Sequence, residues 1–189
     1  MHDIVTGGAH HSHGHSHVTT ADGQVVETGT RIEPGHIRHV DDGPTTLWID
    51  ASQGASGDML LAALLDAGAD AGSVAAVLDL IAPGALHLQT RRVARGPFSA
   101  MKVDIIADEV DPPARHLSDI EAMLDVPGMP PATLRLATSA FRALATAEAA
   151  AHGTSPEDVH FHEVGALDSI GDIVGVCEAA RTLGVQRAV

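Results

Sequence analysis

The chain has no tyrosine, one tryptophan and three phenylalanines. Platforms for stacking nucleic-acid bases are therefore scarce. It has one cysteine, Cys177, which excludes an intrachain disulfide and a cysteine-based zinc site. Basic groups are also few. Lys102 is the only lysine, and 11 Lys and Arg stand against 25 Asp and Glu. The resulting formal charge of −14 repels nucleic acid and anionic membranes and draws cations to the surface. No apolar run is long enough to span a bilayer. The N-terminus is polar and His-rich, without the basic-then-apolar order of a secretory signal. These absences predict a cytoplasmic protein with no nucleic-acid or membrane partner.

Alanine and leucine carry most of the apolar content, which favours helices. The 189 residues fit one domain with some sequence left for a tail. Residues 1–44 are rich in His, Gly, Thr and Asp and lack apolar periodicity, so they read as a flexible His-rich tail. Residues 45–189 read as the globular domain. A strand is expected over 46–50, then a small-residue loop, then a helix ended by Gly68. A second helix is expected over 71–81, with Pro83-Gly84 behind it. Strands 86–91 and 102–106 flank a turn at Arg95-Gly96-Pro97. Helices 117–125, 131–151 and 168–183 follow, the last with Gly184 behind it. The expected fold is α/β: a small helix-rich α/β sandwich with at least one antiparallel strand pair.

Three groups of residues suggest chemistry. In Gly54-Ala55-Ser56-Gly57-Asp58, small residues between a strand and a helix let a ligand approach the backbone. Free N–H groups at the helix start attract anions. Gly54, Ser56, Gly57 and Asp58 are thus candidate cofactor-binding residues, and Asp50 at the strand end is a candidate metal ligand. A tight turn with Ser56 or Asp58 as N-cap explains the same residues. The second group runs from His160 to Asp172. In an extended segment, His160 and His162 point to one side, and Asp168 and Asp172 share one face of the following helix. A cation beside them would offset their repulsion. His160, His162 and Asp168 are candidate catalytic groups; Glu163, Asp172 and His116 are candidate metal ligands. Helix capping and ordinary hydrogen bonding remain the alternative. The third group is the tail's His10, His11, His13, His15 and His17, five histidines in eight positions. Neutral imidazole suits Ni, Zn and Cu, so the tail does not name its metal.

Taken in order, these residues form a pattern. Ser56-Gly57-Asp58-Met59 follows a strand ending in Asp50. Next come His116-Leu117-Ser118-Asp119-Ile120, then Ala147-Glu148 with His152-Gly153. Last come Val159-His160-Phe161-His162-Glu163-Val164-Gly165-Ala166 and Asp168-Ser169-Ile170 with Asp172-Ile173. Over residues 46–185 the chain resembles the LarC family, the nickel-insertion proteins of lactate-racemase cofactor synthesis. The resemblance implies insertion of Ni(II) into pyridinium-3,5-bisthiocarboxylic acid mononucleotide, with CTP and Mn or Mg. In the product, sulfurs and a ring carbon hold the nickel. A proton must leave that carbon, so a base is expected nearby.

Full-length members of that family continue well beyond this length. The resemblance therefore implies that this chain is the N-terminal half and acts with a separate or missing C-terminal half. That half would bring CTP and its metal, and lactate racemase or a related apo-enzyme would be an indirect partner. A homo-oligomer is left open. Two other functions compete: nickel storage or delivery by the His tail without catalysis, and Mg-dependent hydrolysis of phosphate esters by Asp50, Asp58, Asp168 and Asp172.

Overall fold

The computed structural model describes residues 16–19, 25–28, 45–52, 54–111, 113–161 and 164–189. The chain divides into two units, Met1–Arg38 and His39–Val189. In the first, strands β1 (Ser16–Thr19) and β2 (Val25–Thr28) pair antiparallel. His10, His11, His13 and His15 lie outside the described residues, and the flexible-tail reading rests on residues that are mostly outside them.

The second unit opens with β3 (Thr45–Leu47), shorter than the expected strand. Helix α1 (Gly57–Asp66) starts two residues earlier than the apolar spacing suggests. It buries Leu61, Ala62, Leu64 and Leu65. Helix α2 (Ala71–Ile81) begins at Asp70, whose carboxylate accepts the Gly72 N–H at 2.9 Å and the Ser73 hydroxyl at 2.8 Å. Val74, Val77, Leu78 and Ile81 repeat at helical spacing and form its buried face.

Strands β4 (Leu86–Arg95) and β5 (Phe98–Ala107) form one antiparallel hairpin closed at Gly96-Pro97. They run longer than the expected 86–91 and 102–106. The two-residue turn holds the register out to Arg95 and Phe98, although that end of the hairpin is exposed and carries little apolar pattern. Gly96 has φ +58°, a conformation glycine adopts without a steric penalty.

Strand β6 (Arg115–His116) leads into α3 (Leu117–Leu124). Helix α4 (Pro131–His152) starts with proline at its first position and ends at Gly153, which takes the left-handed cap at φ 68°. Its buried residues Thr133, Ala137, Phe141, Ala145 and Ala149 recur every four residues along one seam. His152 lies 3.3 Å from Glu148 in the helix's last turn. A short 3-10 turn (Pro156–Asp158) precedes β7 (His160–Phe161), which pairs antiparallel with β6. Helix α5 (Leu167–Thr182) follows, then β8 (Val185–Ala188), which pairs parallel with β3.

The fold is α/β, with antiparallel pairs β4–β5 and β6–β7 in the second unit. Helix α5 is its central element, packing against α1, α2, α4 and β5. Glycine permits the closest approach: a Cβ at Gly175 would lie 2.9 Å from Leu61 Cδ2. The buried Glu178 joins α5 to α4, accepting the Thr133 hydroxyl at 2.5 Å and two Arg181 N–H groups at 2.8 and 2.6 Å. Burial pushes this carboxyl up, but Arg181 and Thr133 outweigh it and hold the group below the usual glutamate range. Cys177 is partly buried against the core, and burial pushes its thiol up to about 11. No helix among the described residues is long and apolar enough to cross a membrane.

Candidate functional site

The start of α1 abuts the first turns of α5. A Cβ at Gly57 would lie 2.6 Å from Asp172 Cβ and 2.9 Å from its Oδ2. Only glycine allows this approach, so the small residues of the loop admit a side chain of the same protein. The Ser56 hydroxyl bonds to the Asp58 carboxylate instead of capping the helix. The Asp58 N–H bonds to Asp172, so Asp172 supplies the negative charge that the helix N-terminus attracts.

Asp172 is half-buried and faces other carboxylates. Burial, then the charges of Asp58 and Asp168, push its pKa from 3.8 up to about 6, against the opposing bond from Asp58 N–H. Its folded-state value lies above its unfolded one, so the protonated form is favoured in the folded protein. This contribution to stability is full below pH 4 and is lost as the pH rises to about 6. Asp172→Asn keeps an acceptor for the Asp58 N–H and removes the charge. We expect it to stabilise the metal-free protein by about 1 kcal/mol at pH 7.5 after allowance for solvent screening, and the gain to vanish near pH 4. Urea midpoints across this range in chelator test this; a gain independent of pH contradicts it.

The other carboxylates are spread out. Asp168 is exposed and accepts the Ser169 N–H at 2.7 Å. Asp50 is exposed, and hydrogen bonds from Ser52 lower its pKa. Gly54, at φ +90°, donates its N–H to the Ala51 carbonyl at 2.9 Å and turns the loop. Among the described residues, no three His, Cys, Asp or Glu side chains converge closely enough to hold a metal ion.

A second cluster forms where β6 meets β7. His116 and His160 are register partners, and their ring centroids stand 3.9 Å apart at a 51° tilt. His160 is exposed. His116 lies at the start of α3, where its N–H bonds to the Asp119 carboxylate at 2.8 Å. Its side chain faces the Asp119 N–H in a capping box, and its buried Nδ1 makes no hydrogen bond of normal geometry among the described residues. His162 and Glu163 lie outside the described residues.

An ion pair that the sequence reading did not anticipate braces this cluster. Arg115 on β6 binds Glu109 and also donates to the Gly165 carbonyl. Glu109 accepts the Leu167 N–H at 3.0 Å. Burial pushes Glu109 up, but Arg115 and the Leu167 N–H outweigh it and keep its pKa low. The pair thus ties the turn before α5 to β6. The only sequence signal was an Arg next to the His-Leu-Ser-Asp run. Gly165 fits tightly here, since a Cβ would lie 2.4 Å from the Phe161 carbonyl. Gly165→Ala should therefore destabilise by about 2 kcal/mol through forced backbone movement. An unchanged melting temperature would show that the turn gives way freely.

The comparisons with known proteins agree on a family. The family model described as nickel insertion protein matches residues 47–189. A relative from Nocardioides sp. is 46% identical over 142 residues, 74% of this chain and 35% of its own length. It is called pyridinium-3,5-bisthiocarboxylic acid mononucleotide nickel insertion protein. Putative nickel insertion proteins of Roseiflexus castenholzii and Thermomicrobium roseum are 40% and 42% identical. The matches cover 76% and 74% of this chain and 36% and 34% of theirs. The chain thus spans about a third of the length of these curated relatives. No solved structure matches it significantly. With the family model covering the stretch from β3 to the last residue, the chain belongs to the nickel insertion protein family.

Proposed function

We propose that this chain takes part in inserting Ni(II) into pyridinium-3,5-bisthiocarboxylic acid mononucleotide, the compound in the Nocardioides relative's name. Nickel is the cargo. The observation that carries this reading is the His116–His160 pair, whose ring centroids stand 3.9 Å apart. Neutral imidazole is a good nickel ligand. The exposed His160 is proposed as the base for the ring-carbon proton, with His162 and Asp168 as the further candidates. Asp50, Asp172 and Glu163 are proposed as further metal ligands, and the chain's excess of carboxylates draws cations to it.

The His tail is proposed as a reservoir that loads this site. CTP with Mn or Mg is assigned to the rest of the length that the relatives carry. Asp172 already meets the start of α1, and its charge opposes a nucleotide phosphate there. Docking of that remaining sequence is proposed at β3–β8. Parallel strands are normally covered on both faces. Here Trp48 is 71% exposed beside an apolar cleft of about 300 Å³ lined by Leu47, Met59, Leu60 and Leu183.

Nickel titration calorimetry tests the reading. The full chain should bind several Ni(II) ions, and a chain lacking residues 1–44 should keep a single site. That site should disappear in His160→Ala. Tail binding should fall away near pH 5, because imidazole with a reference pKa of about 6.5 must be neutral to ligate. Equal stoichiometry with and without the tail removes the reservoir role. A single site that survives His160→Ala removes the histidine-pair assignment.

A further inference from the structure

Strands β4 and β5 form a sheet of two, so each leaves one edge without a strand partner among the described residues. The two-residue turn makes Arg95 and Phe98 a hydrogen-bonded pair. Bonded and non-bonded pairs then alternate along the hairpin, so β5 turns the backbone N–H and C=O of Met101, Val103 and Ile105 outward. A groove of about 450 Å³ lies between the hairpin and α1. Met101, Lys102 and Val103 line it in succession. Successive side chains of a strand point to opposite faces, so the groove follows the edge of β5 and not one face. Met59 of α1, 55% exposed, and the exposed Ala63 line the helix side.

The two edges differ in what they fit. Strand β4 carries Arg91, Arg92 and Arg95, which repel a like strand. Strand β5 reads Ala100-Met101-Lys102-Val103-Asp104-Ile105-Ile106 and is complementary to itself about Val103. Antiparallel to a second copy in that register, Lys102 stands opposite the other copy's Asp104, Met101 opposite Ile105, and Ala100 opposite Ile106. Phe98, 72% exposed, comes diagonal to the other copy's Ile106, 40% exposed. A slip of two residues either way sets Lys102 against Lys102 or Asp104 against Asp104, so charge favours one register. A lone edge lysine discourages pairing; Asp104 gives this one a partner. The hairpin also holds four of the chain's 11 basic residues, so two copies of charge −14 meet there where repulsion is least.

We propose that two copies of this chain associate through β5, paired antiparallel about Val103 into one four-stranded sheet. The contact is a two-fold one, with the same surface on both copies. It gives the outward backbone groups of β5 hydrogen-bond partners and covers Phe98 and Ile106. The proposal goes beyond nickel handling and does not rest on it.

Sedimentation equilibrium of the full chain tests this, in chelator so that the histidines cannot bridge copies through metal. The mass should rise with concentration from 19.5 kDa toward twice that value. Lys102→Asp and Asp104→Lys each set like charges opposite one another at two symmetric places, and each should weaken association about tenfold or more. An equimolar mixture of the two variants should restore it, because the opposed signs then match. Arg187→Asp on the exposed part of β8 makes the same change of charge away from this edge and should leave association unchanged. Amide exchange of the unaltered chain gives a second measurement that depends on no variant. The amides of Met101, Val103 and Ile105 should exchange more slowly as concentration rises, and those of Leu88, Thr90 and Arg92 on the edge of β4 should not change. A monomer at every concentration overturns the proposal, as does a dimer that both single variants leave intact. Folded variants whose mixture stays monomeric overturn the register, and protection of the β4 amides instead overturns the choice of edge. No arm contains nickel, so failure here leaves the histidine-pair reading intact, and failure of nickel binding leaves these outcomes unaffected.

Discussion

Phe161→Ala should destabilise the protein by about 4 kcal/mol, as expected for removing a fully buried aromatic ring. Its neighbour His160→Ala should change stability by no more than about 0.5 kcal/mol, because its side chain lies at the surface. The contrast follows from the strand period. In β7, Phe161 is 2% exposed and packs edge-on against Phe141 of α4, with ring centroids 6.5 Å apart. His160 is exposed, and its ring stands beside the His116 ring. Truncating Phe161 opens a cavity that α4 and the Gly165 turn cannot readily close, because Gly165 already presses on the Phe161 carbonyl. Urea unfolding of both variants beside nickel titration separates the roles. A large stability loss in His160→Ala with normal nickel binding would make His160 part of the scaffold.

The second large effect concerns insertion itself. The purified chain, supplied with substrate, Ni(II), Mn(II) and CTP, should form no nickel cofactor. Adding the remaining two-thirds of a relative such as the Nocardioides protein should restore product, from none to measurable turnover. Insertion needs a closed nickel site, a nucleotide site and a substrate pocket. The described residues bring two histidines together but no three metal-ligating groups. Mass spectrometry of the nickel-bearing mononucleotide reads the outcome. Multiple turnovers by this chain alone would overturn the division of labour proposed above and move the whole active site onto the residues named here.

Much of the local structure was legible in the sequence, for reasons that lie within a few residues. Pro131 and Gly153 bound α4, Asp70 caps α2, and the apolar repeat in 71–81 marks its buried face. Gly96-Pro97 marked the hairpin turn, although the outer strand lengths were missed because that end buries almost nothing. The motif from His160 to Asp172 stood out as polar density before an apolar helix, and the family was legible in the order of such motifs.

Tertiary structure decided what these motifs meet. Strand β8 was not anticipated, because Val185–Ala188 becomes a strand only beside β3, far away in the chain. Asp172 reaches the start of α1 across more than a hundred residues, because Gly57 and the packing of α5 against α1 leave room for it. His116 and His160 face each other only because β6 and β7 pair, and the Arg115–Glu109 brace exists only once that pairing has formed. Period, caps and turns depend on neighbours along the chain, so the sequence alone determined them. Side-chain convergence and the raised pKa of Asp172 depend on contacts that close long loops, and only the packed core chooses those.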